Sequence, residues 1–245
     1  MEIEMRGLAE TARWELGLPL SVKQQEAFAW YARELIEWNR RFNLTAIEAP
    51  EDIEIKHFLD CLSCLRVLGP GPSGRLADVG SGAGFPGIPL KIAAPDLAVT
   101  LIESNSKKAE FCRHIVEGLG LEGVEVLNAR AEEVGRSLHH REVYDWAVAR
   151  AVARLPILVE LLLPFLKVGG LGIAQKGESG PAEAEQAEPA LEATGGRIRE
   201  MIPVNLPRVA EPRFLMVIEK MSATPDRFPR RPGMAAKRPL GLPES

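Results

Sequence analysis

From Arg75 onward the chain alternates between two kinds of segment, and that alternation leaves few folds open. Apolar, strand-like runs occur at "RLADVG" (75–80), "AVTLIES" (98–104), "VEVLNAR" (124–130), "DWAVARAV" (145–152) and "GGLGIAQKG" (169–177). Helix-like stretches lie between them, among them "SKKAEFCRHIVEGLG" (106–120) and "RLPILVELLLPFL" (154–166). Strands alternating with helices at this spacing predict a parallel sheet covered on both faces. Two further strands, "RIREMIPVN" (197–205) and "RFLMVIEKM" (213–221), follow without a helix between them. Their linker holds Pro207 and Pro212 and suits an antiparallel hairpin.

The first third reads differently. Residues 22–41, "VKQQEAFAWYARELIEWNRR", carry apolar residues at helical spacing. A second helix is expected over 50–68, opening at Pro50 with Glu51 and Asp52 in its first turn. "GPGPSG" (69–74) then breaks the chain. The expected organisation is a helical N-terminal cap (1–70), a main domain (71–221) and a basic, proline-rich tail (222–245). With 46% hydrophobic and 26% charged residues, the chain has the composition of a soluble globular protein. Its longest apolar run, "ILVELLLPFL" (157–166), is too short to span a bilayer and is interrupted by Glu160 and Pro164. The N-terminus is acidic and lacks an apolar leader, so a cytoplasmic location is expected. Cys61, Cys64 and Cys112 fit a reducing compartment. No second cysteine pair or histidine cluster accompanies Cys61-x-x-Cys64, so these thiols read as core residues and no metal site is expected.

The chemistry concentrates in "LADVGSGAGFPGIPL" (76–90), where a strand ends on Asp78 and glycines follow. Gly82, Gly84 and Gly87 match G-x-G-x-x-G, and Glu103 lies about twenty residues beyond, as in dinucleotide-binding loops. The same stretch also reads D-x-G-x-G-x-G from Asp78 through Gly80, Gly82 and Gly84, the pattern of methyltransferase loops. S-adenosylmethionine carries an ammonium instead of a pyrophosphate, so an acid at the loop favours it. Glu103 at the end of the second strand suits ribose hydroxyls in either case. A single nucleotide-binding half closed by a terminal hairpin tips the choice. The expected fold is α/β: a class I methyltransferase, with a Rossmann-like, seven-stranded, mostly parallel sheet ending in an antiparallel hairpin. The cofactor candidates are Asp78, Gly80, Gly82, Gly84, Phe85, Glu103, Ser104, Asn105, Ala131, Glu132 and Arg150. A NAD-dependent oxidoreductase stays open as an alternative, as does a non-catalytic RNA-binding protein with this fold.

Five blocks occur in order: "WNRRFNLTAI", "HFLDCL", "LADVGSGAGFPGIPLKI", "YDWAVARAVA" and "PRRPGMAAKRPLG". Together, and over nearly the whole chain, they resemble the RsmG family, once named glucose-inhibited division protein B, of bacterial 16S ribosomal RNA guanine-N7 methyltransferases. The resemblance implies S-adenosylmethionine as methyl donor and a guanine in the decoding region of 16S RNA as acceptor, met in the 30S subunit or an assembly intermediate. A monomer is expected.

Guanine N7 has a free lone pair and no proton, so its methylation needs positioning and no general base. That agrees with the lack of an obvious catalytic His–Asp pair. Arg150, Asn43 and Lys176 are the candidates for contact with the reacting base. A guanidinium gripping both O6 and N7 would cover the nucleophile, so Arg150 is expected to touch O6 alone, an adjacent phosphate or the cofactor. Asn43 and Thr45 of "NLT", together with Lys56, His57 and Asp60, could reach the same cleft. Arg130 and Lys176, with Arg230, Arg231, Lys237 and Arg238 of a tail kept extended by its prolines, are expected to meet RNA phosphates. The acidic charge collects instead in "ESGPAEAEQAEPALE" (178–192).

Overall fold

The computed structural model describes residues 5–241. The seven expected strands form one sheet: β1 (Gly74–Val79), β2 (Leu97–Ile102), β3 (Val124–Leu127), β4 (Tyr144–Arg150), β5 (Leu166–Lys176), β6 (Gly196–Val204) and β7 (Arg213–Lys220). Their order is β3-β2-β1-β4-β5-β7-β6. The first five are parallel; β7 runs antiparallel to β5 and pairs with β6 as the expected hairpin. The order reverses between β1 and β4, and the crevice outside the carboxyl ends of those two strands is where open α/β sheets bind ligands. Asp78 stands one residue before the end of β1, in register with Leu101 of β2 and Val148 of β4.

Alternate residues along each strand feed two cores. On one face Leu76, Leu101, Val148 and Ile173 pack with Ile88, Phe28, Tyr31 and Phe58. On the other, Ala77, Ile102, Ala149 and Ala174 pack with Leu158, Leu162 and Phe165. The N-terminal helices therefore share a core with the sheet. The change at 69–74 is one of element type, not a break between separately packed units. Arg6–Leu16 is helical too, an element the apolar spacing did not reveal, and it buries Leu8 and Ala12.

Two local expectations need correction. The helix over 50–68 opens at Pro50 as expected, but it widens to a π-helix at Ile53–Leu59 before returning to α-helix at Asp60–Leu62 and Leu65–Leu68. Inside the π stretch the Lys56 carbonyl accepts a bond from Arg150, so an outside donor competes for the helix's own acceptors. The tail is not simply extended either. Met234–Lys237 makes a helical turn, and the segment before it is clamped to the domain. Arg141 donates to the carbonyls of Thr224 and Phe228, and Arg136 donates to that of Pro229. The Arg230 guanidinium donates to both oxygens of Glu160, whose side chain is 1% exposed (Nη2 to Oε2 at 2.7 Å, Nε to Oε1 at 3.0 Å), and the Arg230 backbone N–H donates to Oε1 at 2.8 Å. Arg230, expected on RNA, thus neutralises a buried carboxylate.

Removing one partner of such a pair strands the other charge. Arg230→Ala should cost about 2–4 kcal/mol and lower the melting temperature by roughly 5–10 °C. Limited proteolysis should then release the chain after about residue 222. An unchanged melt and an intact tail would contradict the clamp.

Candidate active site

The loop after β1 is shaped by its glycines. Gly80, Gly82 and Gly84 all have left-handed backbones, and at Gly84 (φ 92°) a β-carbon would lie 2.4 Å from Ile88 and 2.8 Å from the Tyr31 hydroxyl. Gly87 lets the following helix approach Asp78, since a β-carbon there would sit 2.7 Å from Oδ2. Asp78 is fully buried. Its Oδ2 accepts the Gly87 N–H at 2.7 Å, while Oδ1 has no partner. Burial lifts its carboxyl to about 7, against the pull of the Gly87 N–H and Arg150. An orphaned carboxylate oxygen at the root of a glycine loop fits a ligand that brings a cation or donor.

Glu103, at the end of β2, holds this loop against its own. Oε2 accepts the Gly82 N–H at 2.8 Å and Oε1 accepts the Asn105 N–H at 2.6 Å. A carboxylate has about four acceptor sites, so both oxygens keep capacity for hydroxyls. Asn105 caps the helix Ser106–Gly118 through its side-chain oxygen, and Ser104 is exposed beside it. A pocket of about 240 Å³ opens here, lined by Gly80, Ser104, Arg130, Ala131 and Glu132 and closed by Gly233 and Ala235 of the tail. Glu132, 9% exposed, accepts the Gly233 N–H at 2.9 Å, which ties the tail over the pocket. The expected cofactor residues of β1, β2 and the segment after β3 therefore converge.

Arg150, the last residue of β4, faces away from that pocket into a knot with the N-terminal helices. Nη1 donates to the Lys56 carbonyl and to Asp60 Oδ2, each at 3.1 Å, and the guanidinium lies 4.7 Å from the centre of the Phe85 ring. Nη2 donates to His57 Nδ1 at 3.1 Å. Because a guanidinium only donates, Nδ1 is the accepting nitrogen, and the Nε2 proton goes to Thr45 Oγ1 at 2.8 Å. His57 also stacks on Phe85 at 4.5 Å. Burial, then the Arg150 charge, pull its pKa down to about 3, so the ring is neutral. The structure thus joins His57, Thr45, Asp60, Phe85 and Arg150 in one network, with Arg150 and Asp60 as an ion pair at the end of β4.

Other expectations are redirected. Lys176 is 10% exposed; its ammonium pairs with Glu183 at 2.8 Å and donates to the Ala153 carbonyl, so it tethers the end of β5 and is not presented to phosphate. The Lys56 ammonium pairs with Asp52 at 3.0 Å. Asn43 ends the helix Val22–Phe42 in a left-handed conformation (φ 48°), with its side chain exposed. Arg130, Arg231, Lys237 and Arg238 are exposed.

Beyond Arg150 lies a second pocket, of about 190 Å³, lined by Asp60, Arg150, Ala151, Gln175, Lys176 and Arg213 among others. Ala151 there has a left-handed backbone (φ 55°), a strained conformation for a residue with a β-carbon. Gln175 and Arg213 belong to no sequence motif; their one signal is a polar residue that interrupts the apolar face of β5 in "LGIAQKG".

Residues at and just after the end of β4 line both pockets, Arg150 and Ala151 the second and Val152 and Ala153 the first, in a fold that solved structures share. A SAM-dependent methyltransferase from Aquifex aeolicus superposes with a TM-score of 0.55 at 18% identity, covering 73% of this chain and 97% of that one. TrmN from Thermus thermophilus superposes with a TM-score of 0.51 at 23% identity, covering 66% and 48% respectively. A family model described as rRNA small subunit methyltransferase G matches residues 24–207. The chain belongs to the rRNA small subunit methyltransferase G family. A methyltransferase of that name from Pelotomaculum thermopropionicum is 46% identical over 240 residues, 98% of this chain and the whole of the relative. Another, from Roseiflexus sp. (strain RS-1), is 50% identical over 234 residues, 95% of this chain and 98% of the relative. Membership of the rRNA small subunit methyltransferase G family and the methyltransferase fold agree with the glycine-loop geometry. Among the described residues no helix is long and apolar enough to cross a membrane.

The two perturbed groups act in opposite senses on stability. Asp78 is raised in the folded state, so its contribution is complete below about pH 4 and is lost as pH climbs through about 7. His57 is depressed, so its contribution is complete above about pH 6.5 and is lost as pH falls towards 3. Asp78→Asn removes the first and keeps an acceptor for Gly87. Its melting temperature relative to wild type should rise steadily between pH 4 and 7. A difference that is flat across this range would contradict the buried, perturbed carboxyl.

Proposed function

We propose that the protein transfers a methyl group from S-adenosylmethionine to N7 of a guanine in the decoding region of 16S ribosomal RNA. The observation that carries the cofactor half is the unpartnered Oδ1 of Asp78 beneath the glycine loop. A buried carboxylate there attracts an ammonium and repels a pyrophosphate, which favours S-adenosylmethionine over a nicotinamide dinucleotide. The 240 Å³ pocket, with Ile102 and Ser104 on either side of Glu103 at one edge and the 129–132 segment at another, would hold the adenosine. When bound, S-adenosylmethionine supplies an electrophilic methyl on a sulfonium.

The residues around the second pocket support N7 as acceptor. No base is needed for N7, and the groups nearby are already engaged: Asp60 is paired with Arg150, and His57 has its accepting nitrogen filled by Arg150 and its proton directed to Thr45. Arg150 is held by Asp60 and the Lys56 carbonyl, so its charge is partly neutralised where a methylated, cationic guanine would form. The side chains position and exclude water, and the rate would come from alignment. Asn43, Arg130, Arg231 and Lys237, exposed on the surface, are left for the RNA, with phosphate contacts expected to weaken steeply with salt. The substrate would be the 30S subunit or an assembly intermediate, since a base inside folded RNA must be splayed out before it can enter, and the enzyme would act as a monomer in the cytoplasm.

Incubation with labelled S-adenosylmethionine and 30S particles lacking the modification should place label in 7-methylguanosine on nucleoside analysis. Label in another nucleoside would overturn the N7 assignment, and equal labelling of naked 16S RNA would remove the need for the particle. Asp78→Asn should weaken S-adenosylmethionine binding roughly tenfold to a hundredfold in calorimetry. Unchanged affinity would remove Asp78 from the cofactor site.

A further inference from the structure

Two residues that line the 190 Å³ pocket each hold a buried polar atom that the protein leaves unsatisfied. Gln175, 8% exposed, has no partner for Oε1, and the Nε of Arg213 has none either. Buried polar groups are nearly always paired, so an orphan acceptor and an orphan donor on two lining residues of one cavity suit a ligand with the complementary pair. The orientation of the Gln175 amide is fixed by its other end. Nε2 donates to the Asp60 carbonyl at 2.8 Å, and flipping the amide would set two oxygens against each other. Gln175 therefore presents an acceptor.

Resting on the methyltransferase reading above, we propose that this pocket reads the O6/N1 edge of the target guanine: Arg213 Nε–H donates to O6 and Gln175 Oε1 accepts from N1–H. Guanine carries an acceptor at position 6 beside a donor at position 1. Adenine carries the reverse, a donor at 6 beside an acceptor at 1, and would meet donor with donor and oxygen with lone pair. The pocket discriminates by the penalty for unpaired buried groups as much as by bonds gained. Gripping O6 and N1 leaves N7 uncovered, which the usual bidentate O6/N7 grip would not. Asp60 completes the arrangement. Its carboxylate lies 3.1 Å from Arg150 and 4.0 Å from Arg213, so two guanidiniums share one negative charge next to a base that becomes cationic. Burial pushes the Asp60 pKa up, and the two arginines counter it.

The test compares wild type with Arg213→Met and Gln175→Leu on 30S particles lacking the modification. Each variant should lose about tenfold or more in kcat/KM with unchanged affinity for S-adenosylmethionine. Saturation-transfer NMR with guanosine and adenosine monophosphates should show a guanine preference in wild type that both variants lose, a readout that a purely structural role would not move. Should Arg213→Met melt early, Gln175→Leu carries the test alone. If wild type methylates and the variants keep kcat/KM within twofold, or keep the guanine preference, the edge-reading pocket is wrong and the methyltransferase reading stands. If wild type transfers no methyl group to 30S RNA, the reading fails and this assignment falls with it.

Discussion

One guanidinium at the end of β4 ties the two halves of the site together. Arg150 is bound by Asp60, the Lys56 carbonyl and His57, all on the N-terminal helical segment, and it covers the ring of Phe85 from the glycine loop. An arginine so enclosed stays only if its charge is compensated, and Asp60, 3% exposed, does that. The consequence is geometric. The helical segment is pinned over the carboxyl edge of the sheet, the glycine loop is pressed between them, and a pocket is left on either side. The Tyr31 hydroxyl donates to the Ala83 carbonyl and holds the same loop from the other helix.

The cofactor side depends on a second buried acid. Asp78 is kept from water by the helix that starts at Gly87, and a single N–H meets one of its two oxygens. That incomplete solvation is a cost built into the fold, offset only in part by the Arg150 charge and relieved further by a cationic ligand. The same reasoning explains the tail. Glu132 fixes Gly233 and Glu160 fixes Arg230, so the last basic block roofs the pocket and keeps Arg231 and Lys237 on its outer surface.

How much of this the sequence disclosed follows from the range of the forces involved. The seven strands and the hairpin were legible because burial imposes period-2 and helical patterns locally. Asp78 was legible because it stands at a strand end before glycines, and Glu103 because it closes the next strand about twenty residues beyond that loop. The π-helical stretch at Ile53–Leu59 was not, because it depends on Arg150, some ninety positions away. Lys176 and Arg230 were misread for a similar reason: a cation in a sequence looks available to phosphate until its buried partner, Glu183 or Glu160, is known. Gln175 and Arg213 are distant in sequence, and only the β5–β7 pairing makes them neighbours of one pocket.

The central claim is that the loop after Asp78 cradles S-adenosylmethionine, and thermal denaturation with added ligand tests it most directly. A ligand held only by the folded state at about a hundred times its dissociation constant stabilises by about 2.7 kcal/mol, or roughly 5–10 °C here. S-adenosylmethionine and S-adenosylhomocysteine should each give such a shift while NAD gives none. A shift with NAD, or none with either adenosyl compound, would contradict the account.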